Sequence, residues 1–381
     1  MGIDEDALEL HRKLRGKVAV TAKAELTAET LELLYTPGVG VVSRLLVDDV
    51  DSAQELTGRG NTVAVVSDGS AVLGLGNEGP VPALPVLEGK ALLFRALAGI
   101  DAVPIALEVD GEDSFVDAVR AIAPSFGAIN LEDVAAPGCF SIERRLREAL
   151  EIPVVHDDQH GTAIAVVAAL RNACRVTERS LEDAAIVVVG AGAGGAGTAR
   201  LLRAAGAERI AVTDRKGALG PDRDDLDEVK RSFVDELDLR SGGDVGEVLR
   251  GADAVIGLAV PGAFEADSIR AMADRPIVFA LANPDPEVDP RDAAEAGAAV
   301  VATGRSDFPN QVNNVLGFPG LFRGALDAQL RELDADAALR AATAIADLIE
   351  DPRPDRILPD VLDERIVPAV AGAVAARDRV R

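Results

Sequence analysis

Two pairs of neighbouring acidic side chains are the residues of this chain most suited to chemistry. Glu132 is followed by Asp133, and Asp157 by Asp158. The first pair directly follows, and the second follows after one histidine, a short apolar stretch that is typical of a buried β-strand. Adjacent carboxylates repel one another and lose hydration when partly buried, so a bound divalent cation would explain why the pairs are tolerated. Oxygen-only ligands of this kind suit Mg²⁺ or Mn²⁺ rather than zinc.

Two histidines, His156 and His160, flank the second pair, but we expect neither to bind the metal directly. Their spacing of four residues would put both on one face of a helix. The zinc pattern HExxH is not present, and Gly161 suggests that the helix begins only after both histidines. We therefore predict structural or supporting roles for them.

A glycine-rich turn connects an apolar strand to a helix, and its residues are Gly190, Ala191, Gly192, Ala193, Gly194 and Gly195. The pattern G-x-G-x-x-G permits a tight turn and lets a pyrophosphate approach the N-terminus of the helix. Asp214 ends the next predicted strand, where a carboxylate would bind the adenosine ribose. The turn therefore predicts a dinucleotide site. Asp214 favours NAD, whereas Arg215 and Lys216 could hold the 2′-phosphate of NADP, so the choice stays open.

Composition limits the possible partners. The 381 residues include 64 acidic and 39 basic side chains, and the net charge of −25 argues against nucleic acid. The dispersed acid resembles that of proteins from salt-loving organisms; an ordinary acidic enzyme is the alternative. No apolar run reaches the roughly 18 residues of a membrane span, and the N-terminus is charged. Cys139 and Cys174 stand far apart, so we expect a cytoplasmic protein without disulfides or membrane association.

The elements that position these groups alternate between strands and helices. Strands are predicted at 61–68, 101–110, 128–130, 208–214, 253–259, 276–282 and 298–303, and helices at 1–35, 89–99, 112–124 and 161–175. This pattern predicts a two-domain α/β protein. We expect an N-terminal α/β catalytic domain (1–155), a Rossmann-type doubly wound parallel sheet (156–330), and C-terminal helices (331–381) that pack back on the N-terminal domain.

Six segments in order resemble malic enzyme, in its short microbial form: LYTPGVG, EGKALLFRALAGID, NLEDV, VVHDDQHGTA, the GAGAGG turn and QVNNVLGFPG. The resemblance runs from about residue 10 to 375. It implies a homodimer or larger homo-oligomer with its site in the cleft between two α/β domains. The implied activity is oxidative decarboxylation of (S)-malate to pyruvate, with NAD or NADP and with Mg²⁺ or Mn²⁺.

The resemblance also assigns roles to individual residues. It makes Glu132, Asp133 and Asp158 the metal ligands, Lys90 the general base, Tyr35 the acid, and Asp157 an aspartate linked to the lysine. The residues that would touch malate or the nicotinamide are Asn283, Asn313 and Asn314. Tyr35 has independent support, because it is the only tyrosine of the chain and so is not needed for packing in general.

Several points remain open at the level of sequence. The substrate carboxylates have no assigned partner; the backbone amides of loop 66–77, Arg59, Arg95 and Ser70 are candidates. Two other functions also fit, namely a related metal-dependent dehydrogenase of another 2-hydroxy acid and a catalytically silent NAD(P)-binding regulator. A silent regulator would be expected to lack Lys90, Tyr35 or a metal ligand, and all are present.

Overall fold

The computed structural model describes residues 3–72, 74–240 and 242–376. The helices are α1 (Ile3–Leu14), α2 (Ala28–Leu34), α3 (Val39–Asp48), α4 (Ala53–Leu56), α5 (Pro80–Ala98), α6 (Glu112–Ile122), α7 (Gly138–Ala149), α8 (Asp157–Thr177), α9 (Ala193–Ala204), α10 (Glu228–Leu237), α11 (Val245–Leu249), α12 (Ala266–Arg270), α13 (Pro290–Glu295), α14 (Phe318–Asp327), α15 (Ala335–Asp347) and α16 (Ile366–Ala375). The strands are β1 (Thr62–Ser67), β2 (Asp101–Ala106), β3 (Ala128–Leu131), β4 (Val154–His156), β5 (Ala185–Val189), β6 (Arg209–Asp214), β7 (Gly217–Ala218), β8 (Ala254–Gly257), β9 (Ile277–Ala280) and β10 (Val300–Thr303).

The N-terminal sheet is parallel, with strand order β2-β1-β3-β4. Alternate residues of β1 point to opposite faces, so Val63 and Val65 join the core that contains α5, while Ala64 and Val66 join the core formed with α6 and α7. In the ladder between β3 and β4, Leu131 is paired with His156. The two acidic pairs, which directly follow these residues, therefore lie side by side at the carboxyl edge of one sheet.

The second sheet has the order β10-β9-β8-β5-β6-β7, and only the short β7 is antiparallel. The chain leaves β5 toward β6 on one side and later returns to β8 on the other. In open α/β sheets, ligands bind in the crevice at such a reversal, beyond the carboxyl ends of the strands. The predicted α/β class with a Rossmann-type parallel sheet is confirmed.

Helix α8 joins the two sheets and is buried along most of its length. It packs against α9 and α15, while α16 packs against α14 and α15. Helix α14 contacts α5 through Phe318 and Phe322, whose rings lie edge-on to Phe94 at centroid distances of 4.8 and 5.2 Å. The C-terminal helices thus reach the N-terminal domain by way of α14. The boundaries at 155/156 and 330/331 stay predictions, and β4 extends one residue past the first.

Two predicted helix starts were wrong, and both errors concern the site. Helix α5 begins at Pro80 rather than at residue 89, because prolines in the first turn of a helix need no N–H partner. Helix α8 begins at Asp157 rather than at Gly161, since carboxylates are favoured in the first turn by the helix dipole. Lys90 therefore lies in the middle of a helix, and the Asp157–Asp158 pair begins one.

The first part of the chain, residues 3–56 (the N-terminal arm), packs differently from the rest. None of its residues is buried, and residues 15–27, between α1 and α2, are not helical. Residues Ala28–Asp48 are apolar and long enough, by length and composition alone, to cross a membrane. The structure breaks this stretch between α2 and α3, whose lengths of about 10 and 15 Å fall short of the roughly 30 Å bilayer interior.

Candidate active site and coenzyme site

Lys90 lies among carboxylates in the interior rather than on the surface. Its Nζ is 2.5 Å from Asp157 Oδ2 and 3.1 Å from Glu132 Oε1. The residue is only 6% exposed, and Asp157 is fully buried. The ammonium group also lies 4.1 Å from the centre of the Phe318 ring on α14. A solvated surface role for Lys90 is therefore excluded, because its charge is paired and enclosed on several sides.

Asp157 is held in place by neighbours from two other parts of the chain. Asn314 Nδ2 donates a hydrogen bond of 2.6 Å to Asp157 Oδ2, the same oxygen that contacts Lys90. On the next turn of α8, a Cβ at Gly161 would lie 2.1 Å from Asp157 Oδ1. Any side chain at position 161 would displace the aspartate. Gly161 thus permits the close packing of Asp157 rather than marking the start of the helix.

Three further carboxylate groups form a cluster beside this pair. Ligand oxygens of Glu132, Asp133 and Asp158 all lie within 4.8 Å of one another. The cluster is ordered by hydrogen bonds, because Asp133 N donates to Asp158 Oδ2 at 3.0 Å and Asn130 Nδ2 donates to Glu132 Oε2 at 2.9 Å. Three oxygen donors on adjacent strand ends are the ligand set that Mg²⁺ or Mn²⁺ prefers. The structure therefore brings together the three ligands expected from the sequence.

The electrostatics of the cluster also fit a divalent cation. Burial raises the pKa of Glu132 well above its usual range, and Asp157 and Asp158 raise it further against the opposing effect of Lys90. Burial alone would lower the pKa of Lys90, but Asp157, Glu132 and Asp158 outweigh it, so that this pKa is raised. One ammonium group thus faces several carboxylates, and a second positive charge would relieve their repulsion.

Glu143 on α7 supports the first turn of α8, and the sequence analysis missed it. Its Oε1 accepts a hydrogen bond from His156 N at 3.1 Å and lies 2.8 Å from His160 Nε2 and 2.9 Å from Arg147. Its Oε2 accepts from Gln159 Nε2 at 3.0 Å. Burial would raise the pKa of Glu143, but its interactions with His160, Arg147 and His156 outweigh burial and lower the pKa to about 2. His160 therefore contacts Glu143 rather than the carboxylate cluster.

Replacing Glu143 by glutamine should destabilise the fold, because the positive groups around it would lose their charge partner. The pKa of about 2, against an ordinary 4.5, means that Glu143 stabilises the folded state fully above pH 4.5 and loses this effect as pH falls toward 2. We expect Glu143→Gln to cost about 2–4 kcal/mol of unfolding free energy at pH 7. Urea unfolding at several pH values measures this cost, which should shrink below pH 4.5.

The matched control is Glu148→Gln on the same helix, where the side chain is 64% exposed and pairs with Arg144 in solvent. Exposed pairs contribute roughly 0–1 kcal/mol, so little change is expected. Equal losses in the two variants would contradict a special role for Glu143.

The glycine turn lies at the carboxyl ends of β5 and β8. Gly190 has a φ of +116°, and a Cβ there would lie 2.3 Å from Leu258 O. A Cβ at Gly195 would lie 1.8 Å from Gly190 O, whereas one at Gly192 would meet nothing within 4 Å. The turn is therefore closed on the protein side and open where a pyrophosphate would approach the N-terminus of α9. This helix begins at Ala193, so the turn opens a helix as predicted.

The coenzyme turn adjoins the carboxylate cluster. A Cβ at Gly194 would lie 3.5 Å from Asp158 O, in the first turn of α8. A dinucleotide bound along the glycine turn would therefore pass close to the first turn of α8, which contains Asp158. This contact brings the predicted coenzyme site of the second sheet next to the predicted metal site of the N-terminal sheet.

Asp214 is the acid that we expect at the adenosine ribose, and its carboxylate is paired with basic side chains of the same chain. Its Oδ2 is 2.7 Å from Lys230 Nζ, and Arg223 approaches its Oδ1 at 3.3 Å. Burial raises the pKa of Asp214, but the bonds from Lys230, Lys216 N and Arg223 outweigh it, so that the pKa is lowered. Lys216 Nζ pairs with Asp225, and Arg215 is exposed. Arg223 and Lys230, not predicted from the sequence, are therefore the cations nearest to Asp214.

The three asparagines that were predicted to contact the substrate lie in three different surroundings. Asn314 contacts Asp157, as described. The side chain of Asn313 instead accepts a hydrogen bond from Val315 N at 3.0 Å and begins a short 3₁₀ turn. Asn283 is exposed just beyond β9, with its Nδ2 donating to Leu281 O at 3.3 Å. Of the three, Asn314 is the one with a direct bond to the Lys90–Asp157 pair among the residues that the structure describes.

The candidates for binding substrate carboxylates are engaged elsewhere. Arg59 Nε donates to Phe126 O at 3.2 Å, and Arg95 pairs with Asp101 at 2.6 Å on the surface. The Ser70 hydroxyl donates to Asp68 and accepts from Ala135 N. Within loop 66–77, Leu73 lies outside the described residues. None of these three side chains forms a bond to Lys90 or to the carboxylate cluster.

Tyr35, the predicted acid, lies outside the cluster as well. Its side chain is 66% exposed on the N-terminal arm. Within the described residues it makes no side-chain hydrogen bond and no ring contact, and only its backbone is bonded, to Leu31 and Val39. The Lys90 site within one chain therefore lacks the phenol that the resemblance implies.

Two protein-family models match the chain. The model for the malic enzyme NAD-binding domain matches residues 159–377, and that for the malic enzyme N-terminal domain matches residues 15–113. The chain belongs to the malic enzyme family. It is 47% identical to a bifunctional malic/malolactic enzyme of Bacillus subtilis, covering 98% of this chain and 93% of that protein.

Two further relatives differ in the coenzyme that they are named for. An NADP-dependent malic enzyme of Halomonas elongata is 45% identical, with 97% of this chain and 92% of that protein covered. The crystal structure of an NAD-dependent malic enzyme from Thermotoga maritima is 46% identical, covers 97% of this chain and 99% of that chain, and superposes with a TM-score of 0.93. Both coenzymes thus occur among close relatives within the malic enzyme family.

Proposed function

We propose that this chain catalyses the oxidative decarboxylation of (S)-malate to pyruvate and CO₂ with reduction of NAD⁺ or NADP⁺, dependent on Mg²⁺ or Mn²⁺. The observation that carries the proposal is the buried Lys90–Asp157 pair in contact with Glu132 of the three-carboxylate cluster. The glycine turn supports it, because Gly194 packs against the first turn of α8.

Each residue has a distinct task in this proposal. When bound, the metal ion at Glu132, Asp133 and Asp158 would polarise the C2 oxygen as a Lewis acid, and the nicotinamide would accept the hydride from C2. The positive charge of that metal ion would lower the pKa of Lys90, which as the neutral amine takes the proton of the C2 hydroxyl. Asp157 orients the amine and stabilises the ammonium group that forms on proton transfer.

The second half of the reaction needs an acid. Loss of CO₂ leaves enolpyruvate, whose C3 must receive a proton, and the hydroxyl of Tyr35 supplies it. Asn283, Asn313 and Asn314 are proposed to lie along the substrate and nicotinamide, with Asn314 also fixing Asp157. Because Asn283 is exposed, its side-chain amide is free to contact the substrate in this proposal.

A product assay tests this function. The purified chain should form reduced coenzyme and pyruvate in equal amounts from (S)-malate with Mn²⁺, and EDTA should stop both. Reduced coenzyme without pyruvate, or from another 2-hydroxy acid in preference to malate, would favour the related dehydrogenase. Neither product would favour a silent NAD(P)-binding regulator. Lactate should be quantified as well, because the B. subtilis relative carries the name malic/malolactic enzyme.

Coenzyme choice follows from the cations at Asp214. Because Lys230 and Arg223 offset its charge, a 2′-phosphate meets a net attraction there, and we expect NADP⁺ to be accepted alongside NAD⁺. Lys230→Ala should raise the KM for NADP⁺ at least about tenfold more than that for NAD⁺. Steady-state kinetics with both coenzymes measure this ratio. Arg240→Ala, an exposed arginine of the same domain, is the control and should leave it unchanged.

The acidic composition supports a cytoplasmic enzyme adapted to high salt. A net charge of −25 is self-repelling in dilute buffer and is screened by salt. We expect the melting temperature in molar KCl to exceed that in dilute buffer by roughly 5 °C or more. Calorimetry in KCl and in sucrose separates screening from solute exclusion, since sucrose does not screen charge. Equal melting temperatures in dilute buffer and KCl would contradict the adaptation.

A further inference from the structure

We propose that Glu287 is a positioning residue for the coenzyme: its carboxylate joins the two loops that follow β8 and β9, and so fixes where the nicotinamide half binds. The role of Glu287 in coenzyme binding does not depend on the reaction that is catalysed. Its effect on turnover rests on the proposed function.

Glu287 is a buried carboxylate whose hydrogen-bond partners are backbone amides. The residue is only 1% exposed. Its Oε1 accepts a hydrogen bond from Ala259 N at 2.9 Å, and its Oε2 accepts one from Ala282 N at 3.0 Å. Burial raises the pKa of Glu287, and these backbone hydrogen bonds oppose the shift. Because a carboxylate is costly to bury, its presence here indicates that two acceptor atoms are needed at this point.

The two hydrogen bonds join loops that leave neighbouring strands of the second sheet. Ala259 follows the end of β8 by two residues, and Ala282 follows the end of β9 by two residues. The backbone of Glu287 adds a third link, because its carbonyl accepts a hydrogen bond from Gly262 N at 2.9 Å. A single residue therefore sets the spacing of both loops at the carboxyl edge of the sheet.

Gly257, the last residue of β8, leaves room for this carboxylate. A Cβ at position 257 would lie 2.5 Å from Glu287 Cδ and 2.7 Å from each of its carboxylate oxygens. Such a short approach would push the carboxylate away from the two N–H groups that it binds. Gly257 thus permits the close packing of Glu287 against the end of the strand.

Both loops lie on the side of the sheet where the nicotinamide half of a dinucleotide would bind. A dinucleotide crosses the point at which the strand order reverses, with one half on each side. Asp214 at the end of β6 marks the adenosine side, and β8 and β9 lie on the other side of β5. The loop after β8 contacts the glycine turn, since a Cβ at Gly190 would lie 2.3 Å from Leu258 O. The loop after β9 carries Asn283, which directly follows the bonded Ala282.

A carboxylate suits this task better than an amide of the same shape. Both oxygens of Glu287 accept hydrogen bonds, whereas a glutamine side chain offers one oxygen and one NH₂ group. In Glu287→Gln, one of the two loops would present its N–H to another donor, and a buried N–H would lose its partner. We expect that loop to move while the core beneath it, which includes Ile256 and Phe279, stays packed.

The binding of NADH and of ADP-ribose tests this role, because ADP-ribose lacks the nicotinamide ring. Glu287→Gln should weaken NADH binding roughly tenfold or more and change the affinity for ADP-ribose by less than about twofold. Isothermal titration calorimetry measures both affinities. Gly257→Ala displaces the same carboxylate from the side of β8 and should give the same selective loss, so the test does not depend on one variant alone.

The matched control is Asp253→Asn, at the opposite end of β8. Asp253 also accepts a backbone hydrogen bond, from Ala185 N at 2.8 Å, and it pairs with Arg179. The variant should lower the melting temperature but leave the affinities for NADH and ADP-ribose unchanged, because Asp253 lies at the amino ends of β5 and β8. Equal weakening of the two ligands by Glu287→Gln, or weakening of neither, would overturn the inference.

Turnover gives a second readout, which depends on the proposed function. A nicotinamide displaced by about 1 Å should slow hydride transfer by roughly 10²-fold. With saturating coenzyme and malate, Glu287→Gln should therefore reduce the single-turnover rate of coenzyme reduction, and an unchanged rate would overturn the inference. If the wild type reduces no coenzyme with malate, the proposed function fails. A selective loss of NADH affinity in Glu287→Gln would then still support Glu287 as a positioning residue.

Discussion

Replacing Lys90 by methionine should lower kcat for malate oxidation by about 10²–10⁴-fold, the range over which general bases contribute. Methionine fills the same volume beside Phe318 but cannot accept the C2 hydroxyl proton. Coenzyme binding should be unchanged, because Lys90 lies on α5 and the glycine turn follows β5. Stopped-flow measurement of reduced coenzyme, together with a titration of NADH binding, separates the two effects.

The control for this variant is Arg144→Met, which removes a surface cation on α7 that is 62% exposed. It should retain full turnover. If Lys90→Met kept more than roughly a tenth of the wild-type rate, the proton would have another acceptor, and the assignment of Lys90 as base would be wrong.

Asp158→Asn should weaken Mn²⁺ binding at least about 100-fold, because it removes one of three carboxylate charges from the cluster. Its neighbour is the matched control. Asp157→Asn removes a carboxylate that contacts Lys90 and Asn314 instead, so it should lower turnover but leave most of the Mn²⁺ affinity. Electron paramagnetic resonance of free Mn²⁺ during a titration measures both affinities.

The comparison between neighbours makes this prediction specific. General disruption of the first turn of α8 would affect the two variants alike. Equal loss of Mn²⁺ affinity in both variants, or retention in both, would contradict the division of the Asp157–Asp158 pair between metal and lysine.

The grouping of the two acidic pairs could be predicted from sequence because each pair lies at the end of a strand. Glu132–Asp133 and Asp157–Asp158 each follow a recognisable apolar strand, and neighbouring parallel strands bring their carboxyl ends together. The glycine turn was predictable for the same reason. The direct contact between Lys90 and Glu132 was not, because it depends on how α5 lies across the sheet.

The residues that the sequence analysis missed act through tertiary contacts. Glu143 is one of two glutamates on α7, and only folding makes it the buried partner of His160 while Glu148 remains exposed. Arg223 and Lys230 reach Asp214 from later in the chain, at positions that no local motif marks. The prolines before Lys90 made the start of α5 hard to recognise in the sequence. The burial of Lys90 in the middle of that helix could therefore not be predicted.

Crystals grown with Mn²⁺ test the central claim most directly, namely that an oxygen-only metal site lies beside Lys90. Anomalous scattering at the manganese edge should give one strong peak per chain, in contact with Glu132, Asp133 and Asp158 and without a nitrogen ligand from His156 or His160. A peak coordinated by either histidine, or the absence of any peak at the cluster in crystals of active enzyme, would contradict the account.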